Sequence, residues 1–119
     1  MYNIDSGIFM TQMREKRRYT RVSLELPVIL RHNGRFIPAQ ALNLSCGGMY
    51  IKTSNTDIAD NNPVEVIFDL DSDRKDVSVL GNIRHRASDG DNMTFGIRFS
   101  NLFSISRKTI ENFISSSLN

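Results

Sequence analysis

From Val22 onward, apolar and polar positions alternate with a period of two, the pattern of half-buried β-strands. The run "RVSLELPVIL" puts Val22, Leu24, Leu26, Val28 and Leu30 on one face. Asn33-Gly34 follows, a two-residue hairpin signal because both positions tolerate positive φ. "RFIPAQALNL" returns as a second strand, in which Pro38 marks an edge or a bulge. "GMYIKT" reads as the third strand and "NTDIADNNP" as a loop of turn-forming residues. "VEVIFDL" is the fourth, alternating Val64, Val66, Phe68 and Leu70. "DVSVLGNIRHR" is the fifth, with Gly81 read as a bulge or barrel corner, and the turn "SDGDN" leads to the sixth, "MTFGIRF". Six short strands with no helix between them predict an all-β fold, an antiparallel barrel rather than a βαβ sheet.

The period then changes. In "SISRKTIENFISSSL", Ile110, Phe113, Ile114 and Leu118 form one helical stripe, with Ser104 or Ser106 as its N-cap. A single helix of this kind is expected to cover an open end or face of the barrel. Residues 1–13 follow neither period and are read as a flexible N-terminal tail. The expected organisation is that tail, then one domain over residues 14–117: a basic arm at 14–21, a barrel at 22–100 and a helix at 104–117.

Composition narrows the class. A chain of 119 residues with 39% hydrophobic and 24% charged residues has the size and balance of one globular domain. No apolar run approaches the roughly 20 residues that span a bilayer, so membrane insertion is not expected. "MYNIDSGIFMTQM" lacks the basic start of a signal peptide. Cys46 is the sole cysteine, which excludes an internal disulfide and fits the reducing cytoplasm, the expected location. His32 and His85 have no neighbouring second ligand, and "DLDSD" fails the calcium-loop pattern at Arg74 and Leu80, so no metal or cofactor is expected. With no nucleophile elbow, phosphate-binding loop or paired-carboxylate signature, the chain is not expected to be an enzyme.

Charge is unevenly distributed. Residues 1–35 hold seven bases against three acids, whereas residues 57–76 hold seven acids against Arg74 and Lys75. A long polyanion would be repelled by the second region unless the two lie on opposite faces, whereas a compact anion seated at the basic end would not. The cations concentrate in "KRRYTR", residues 16–21, just ahead of the first strand. Guanidinium groups offer planar bidentate donors to phosphate or to a guanine edge. Taken alone the run fits a solvated basic arm equally well. At the junction of strands two and three stands "NLSCGGMYI", residues 43–51. Asn43 and Ser45 carry side-chain donors and acceptors, and Gly47 and Gly48 permit a sharp turn or the close approach of a ligand. A side-chain-stabilised turn accounts for it as well.

The two motifs together are informative. Arg17-x-x-x-Arg21 directly ahead of a first strand, then Asn43-x-Ser45-x-x-Gly48, resembles the PilZ domain. The likeness continues through "RVSLELPV", "GNIRHR" and "FGIRF" and covers about residues 14–117. The resemblance implies a six-stranded, Greek-key-like split barrel with one C-terminal helix. It also implies a non-catalytic receptor for the bacterial second messenger cyclic di-GMP. Its ligand-binding residues would be Lys16, Arg17, Arg18 and Arg21 with Asn43, Ser45, Gly47 and Gly48. Arg17 and Arg21 would bridge phosphate and guanine, Asn43 and Ser45 would contact a guanine, and Gly48 would clear room for it. Many members carry Asp at the position of Asn43. In the family a basic residue just ahead of the arginine pair accompanies two stacked ligands, so Lys16 implies two per chain. The output would be a shape change relayed to an effector protein controlling motility, adhesion or exopolysaccharide. The alternative is a ligand-independent interaction module. Binding of DNA or RNA is not expected, since Tyr19 alone is interleaved with the cations.

Overall fold

The computed structural model describes residues 20–54, 58, 63–100 and 104–118. Six strands and one helix are formed there: β1 (Val22–His32), β2 (Arg35–Ser45), β3 (Gly48–Thr53), β4 (Pro63–Phe68), β5 (Val77–Asp89), β6 (Asn92–Phe99) and α1 (Ile105–Leu118). They close a barrel in the order β1-β2-β3-β6-β5-β4, every pairing antiparallel. The first three strands form a meander, and β4 returns to lie beside β1, which is Greek-key connectivity. Closure rests on the pairs Ile29–Ile67, Leu30–Val66 and Arg31–Glu65, the last reinforced by an ion pair at 3.1 Å.

The alternation seen in the sequence sets the inside of the barrel. Val28, Leu30 and His32 of β1 point inward while Ile29 and Arg31 point outward. Leu30, Ala41, Leu44, Ile51, Val66 and Phe95 are buried at the centre. Fully burying a side chain of this kind is worth about 1.5–3 kcal/mol, which also fixes the register, because a one-residue slip would turn each strand inside out. The Asn33-Gly34 turn has φ of 52° and 76°, the double left-handed geometry that its sequence predicts. Ile58, in the connection between β3 and β4, is also buried, a core contribution that its loop composition concealed.

Two local expectations need adjustment. Pro38 sits in β2 opposite Ile29, outside the β2–β3 pairing, which begins at Gln40; it occupies a local edge inside a closed barrel. Gly81 is not a bulge, since β5 pairs through it without a register shift on either side. It is glycine because a Cβ would stand 2.6 Å from the Arg98 carbonyl oxygen and from Ile97 Cγ2. The irregularity of β5 falls between Arg84 and Ala87, where His85 has φ 54°.

Ser104 is the N-cap of α1, its hydroxyl accepting from the Arg107 amide at 3.1 Å. Ile110 and Ile114 bury the apolar stripe and Phe113 packs partly against the core; the Leu118 side chain lies outside the described residues. The helix touches β5 and β2, which are three steps apart in the six-membered ring. It therefore lies across an end of the barrel, as the sequence predicts. Nearby, the turn after β4 is built from its own acids. Asp71 accepts from the Asp73 amide at 3.0 Å and from Arg74, and Asp69 accepts from the Asp76 amide at 2.8 Å.

His32 is 2% exposed, and neither ring nitrogen has a hydrogen-bond partner among the described residues. An unsatisfied buried polar group costs about 1–3 kcal/mol. His32→Leu is therefore expected to stabilise the protein by about 1 kcal/mol in urea titration at neutral pH. A loss of stability would show that the imidazole is satisfied.

Candidate functional site

The β2–β3 turn, Ser45-Cys46-Gly47-Gly48, is held by its own side chain. Ser45 is buried; its hydroxyl accepts from the Gly47 amide at 3.2 Å and donates to the Gly48 carbonyl at 3.3 Å. The Gly47 carbonyl accepts from the Phe99 amide at 2.8 Å, tying the turn to the end of β6. Gly48 is required by packing: a Cβ there would stand 2.2 Å from the Ile97 carbonyl oxygen. Its small size thus serves strand contact, a reason the sequence did not disclose. Cys46 is half-buried, and burial pushes its thiol above the ordinary range; Glu111 adds to this and Arg107 opposes it. These last two residues, paired with each other at 3.3 Å, belong to α1, which also touches β2, the strand that leads into this turn.

A groove of about 380 Å³ opens beside the turn. Register explains its shape. Along one row of the outer surface, Asn43 of β2, Tyr50 of β3, Gly96 of β6 and Arg84 of β5 are successive cross-strand neighbours. The next row runs Ser45, Gly48, Arg98 and Asn82. Gly48 and Gly96 leave a low floor, and Arg21, Arg84, Arg98 and Tyr50 stand around it. Among the described residues, no carboxylate lines the groove and neither Arg84 nor Arg98 has a side-chain partner. The Tyr50 hydroxyl donates to Thr94 Oγ1 at 3.0 Å, which holds its ring. Such a site attracts an anion, and its arginines and tyrosine can also face a planar group.

Of the residues singled out in the sequence, Arg21, Ser45, Gly47 and Gly48 are brought together around this groove. Asn43 stands behind the lining, where its Oδ1 accepts from Arg21 Nη1 at 3.2 Å. Lys16, Arg17 and Arg18 lie outside the described residues, as do residues 1–13. Sequence reasoning missed Tyr50, Arg84, His85, Gly96 and Arg98. The alternation in "NIRHR" and "GIRF" turns Arg84 and Arg98 outward, yet nothing local says that β6 lies between β3 and β5.

The family model for the PilZ domain matches residues 15–116. No curated protein matches the chain in sequence. Among solved structures, the inhibitor of motility MotI/DgrA of Bacillus subtilis is similar with a TM-score of 0.74 at 16% identity, over 89% of this chain and 53% of that one. The PilZ domain of YcgR from Escherichia coli, solved with c-di-GMP, gives 0.65 at 16% identity over 86% and 91%. YcgR from Escherichia coli in complex with c-di-GMP gives 0.67 at 16% identity over 87% and 46%. The chain thus spans about half the length of MotI and of that YcgR chain. At this identity the structural likeness shows the fold: a six-stranded closed barrel with a C-terminal helix.

Proposed function

The chain belongs to the PilZ domain family, and from that premise we propose that it is a non-catalytic receptor for cyclic di-GMP. The observation that carries the reading is the groove in which Arg21, Arg84 and Arg98 converge, with no carboxylate among its described lining residues. The ligand has two phosphates and two guanines. Guanidinium groups can bond both the phosphates and the guanine Hoogsteen edges, and can stack on the bases. Arg17 and Arg21 bridge phosphate and guanine in this reading, and Lys16 and Arg18 add further contacts to the ligand. Asn43 presents Arg21, and Ser45, Gly47 and Gly48 shape the turn. The YcgR structures that the chain resembles contain c-di-GMP, which supports the assignment.

The signal leaves through α1. The turn that borders the groove ends β2, and β2 is one of the strands that α1 touches. A ligand that shifts the turn therefore acts on α1 and on an effector protein docked there. The protein works in the cytoplasm in this reading, on motility, adhesion or exopolysaccharide output. Among the described residues, no helix is long and apolar enough to cross a membrane.

Calorimetric titration of the intact chain tests the assignment. Cyclic di-GMP should give saturable heat, whereas an oligonucleotide should give none. Two ligands per chain are expected at saturation, because Lys16 and Arg14 help offset the mutual repulsion of four phosphate charges. Lys16→Leu should then reduce the ratio to one. No heat with the dinucleotide at high micromolar protein would overturn the receptor reading in favour of an interaction module.

A further inference from the structure

Among the described residues, four large apolar side chains are exposed, and three of them share one face of the barrel: Phe36 at 66%, Leu80 at 49% and Ile29 at 39%. Register brings them together. One outward row runs Phe36 of β2, Arg31 of β1, Glu65 of β4 and Leu80 of β5, each the cross-strand neighbour of the next. The neighbouring outward row runs Pro38, Ile29, Ile67 and Ser78. Between them the inward row, Ile37, Leu30, Val66 and Val79, fills the core, so the barrel has no need of apolar groups outside it. Apolar residues scattered singly over a surface are ordinary, whereas a contiguous group on one face marks a contact surface.

The two charges in these rows form a fixed pair at their centre. Arg31 Nε meets Glu65 Oε1 at 3.1 Å, and the Ser78 hydroxyl donates to Glu65 Oε2. The Arg31 side chain is nevertheless mostly exposed, and that contact engages one of its five guanidinium donors. The first row thus reads apolar, cation, anion, apolar, and the second is apolar except for Ser78. A closed barrel offers no free strand edge, so a protein can join this face only by packing on it.

We propose that two copies of the chain associate through this face, about a twofold axis that runs along the strands between β1 and β4. A closed dimer presents the same patch from both copies, so the patch must be complementary to itself. Rotation about that axis sets each β1 over the β4 of the other copy. Arg31 then faces the partner's Glu65, Ile29 faces the partner's Ile67, and Phe36 faces the partner's Leu80. An axis running across the strands would instead set Arg31 against Arg31 and Glu65 against Glu65, which repulsion opposes. The charges therefore select one of the two directions. The barrel surface is convex, so β1 and β4 approach most closely and the protruding Phe36 and Leu80 close the flanks. Eight residues a side fall short of the roughly 20–30 of a standard interface, so the dimer is reversible. In the ring the junction of β1 and β4 lies opposite that of β3 and β6, so both grooves stay open. The inference does not rest on the receptor reading, and a chain that ignores cyclic di-GMP leaves it standing.

Sedimentation velocity of the intact chain, from low to high micromolar, should show its mass rising toward that of two chains. Phe36→Ser, at an exposed position, should keep the native Tm and weaken association by about tenfold or more, because a symmetric dimer buries the residue twice. Arg31→Glu alone and Glu65→Arg alone should each stay monomeric where the native chain is dimeric, since like charges then face one another. An equimolar mixture of these two variants should associate as the native chain does, since every cation again faces an anion. A surface ion pair adds little to folding, so both variants should melt close to the native protein. A native chain that stays monomeric throughout would overturn the proposal and leave the face to a different protein or to the chain's own N-terminal residues. Native-like association by Phe36→Ser, or by either charge variant alone, would overturn it as well. A mixture that associates more tightly than the native chain would set like residue against like and overturn the axis.

Discussion

Arg21→Ala is expected to lower the affinity for cyclic di-GMP at least tenfold and to leave the Tm of the free protein almost unchanged. Arg21 is exposed, and its hydrogen bond to Asn43 lies at the surface. An exposed substitution of this kind alters stability by about 0.5 kcal/mol or less, because water replaces the partner. In the proposed complex the same guanidinium would face phosphate, in a groove whose described lining residues include no carboxylate. A charge-assisted hydrogen bond there is worth about 1.5–3 kcal/mol. Calorimetry paired with a thermal melt separates the two effects. Native affinity would remove Arg21 from the site, whereas a large loss of Tm would show that it supports the barrel. Asn43→Asp is the companion. A carboxylate accepts more strongly than an amide oxygen, so equal or tighter binding is expected, unless repulsion from the ligand phosphates dominates.

Gly48→Ala should have the opposite signature, a large loss of stability. The added methyl would stand 2.2 Å from a backbone oxygen, that of Ile97, and 3.5 Å from the Arg98 Cα. No rotamer change relieves a clash with main chain, so β3 and β6 must separate where they pair. Overpacking of this kind costs about 3 kcal/mol, and for a domain of this size that lowers the Tm by about 10 °C. Gly96→Val, on the same strand pair and with a bulkier side chain, serves as the control because its Cβ has space. If Gly48→Ala melts with the native protein and loses only ligand affinity, glycine at 48 is there for the ligand. If it melts early, strand contact explains the residue.

The fold was legible wherever local chemistry decides it. Period-two alternation located every strand from β1 to β6, Asn33-Gly34 announced its hairpin, and the stripe through Ile110 and Ile114 announced the helix. These signals survive because a strand or helix reports its own buried face. Gly81 was misread because a glycine in a strand has two physical uses, a bulge or a close approach, and only the position of Arg98 chooses between them. The bulge that does exist, at His85, is carried by a residue whose type gives no warning.

The site divides along the same line. The turn at Ser45–Gly48 and the cationic residue ahead of β1 could be read locally, because both are contiguous motifs with their own chemistry. Only the assembled barrel brings Arg21 to Asn43 across 22 residues and sets Tyr50, Gly96 and Arg84 in one row. Alternation tells each strand which side chains face outward, but the ring order β3-β6-β5 determines which outward residues become neighbours. That order is set by barrel closure and by the register of a shared core, a property of all six strands together.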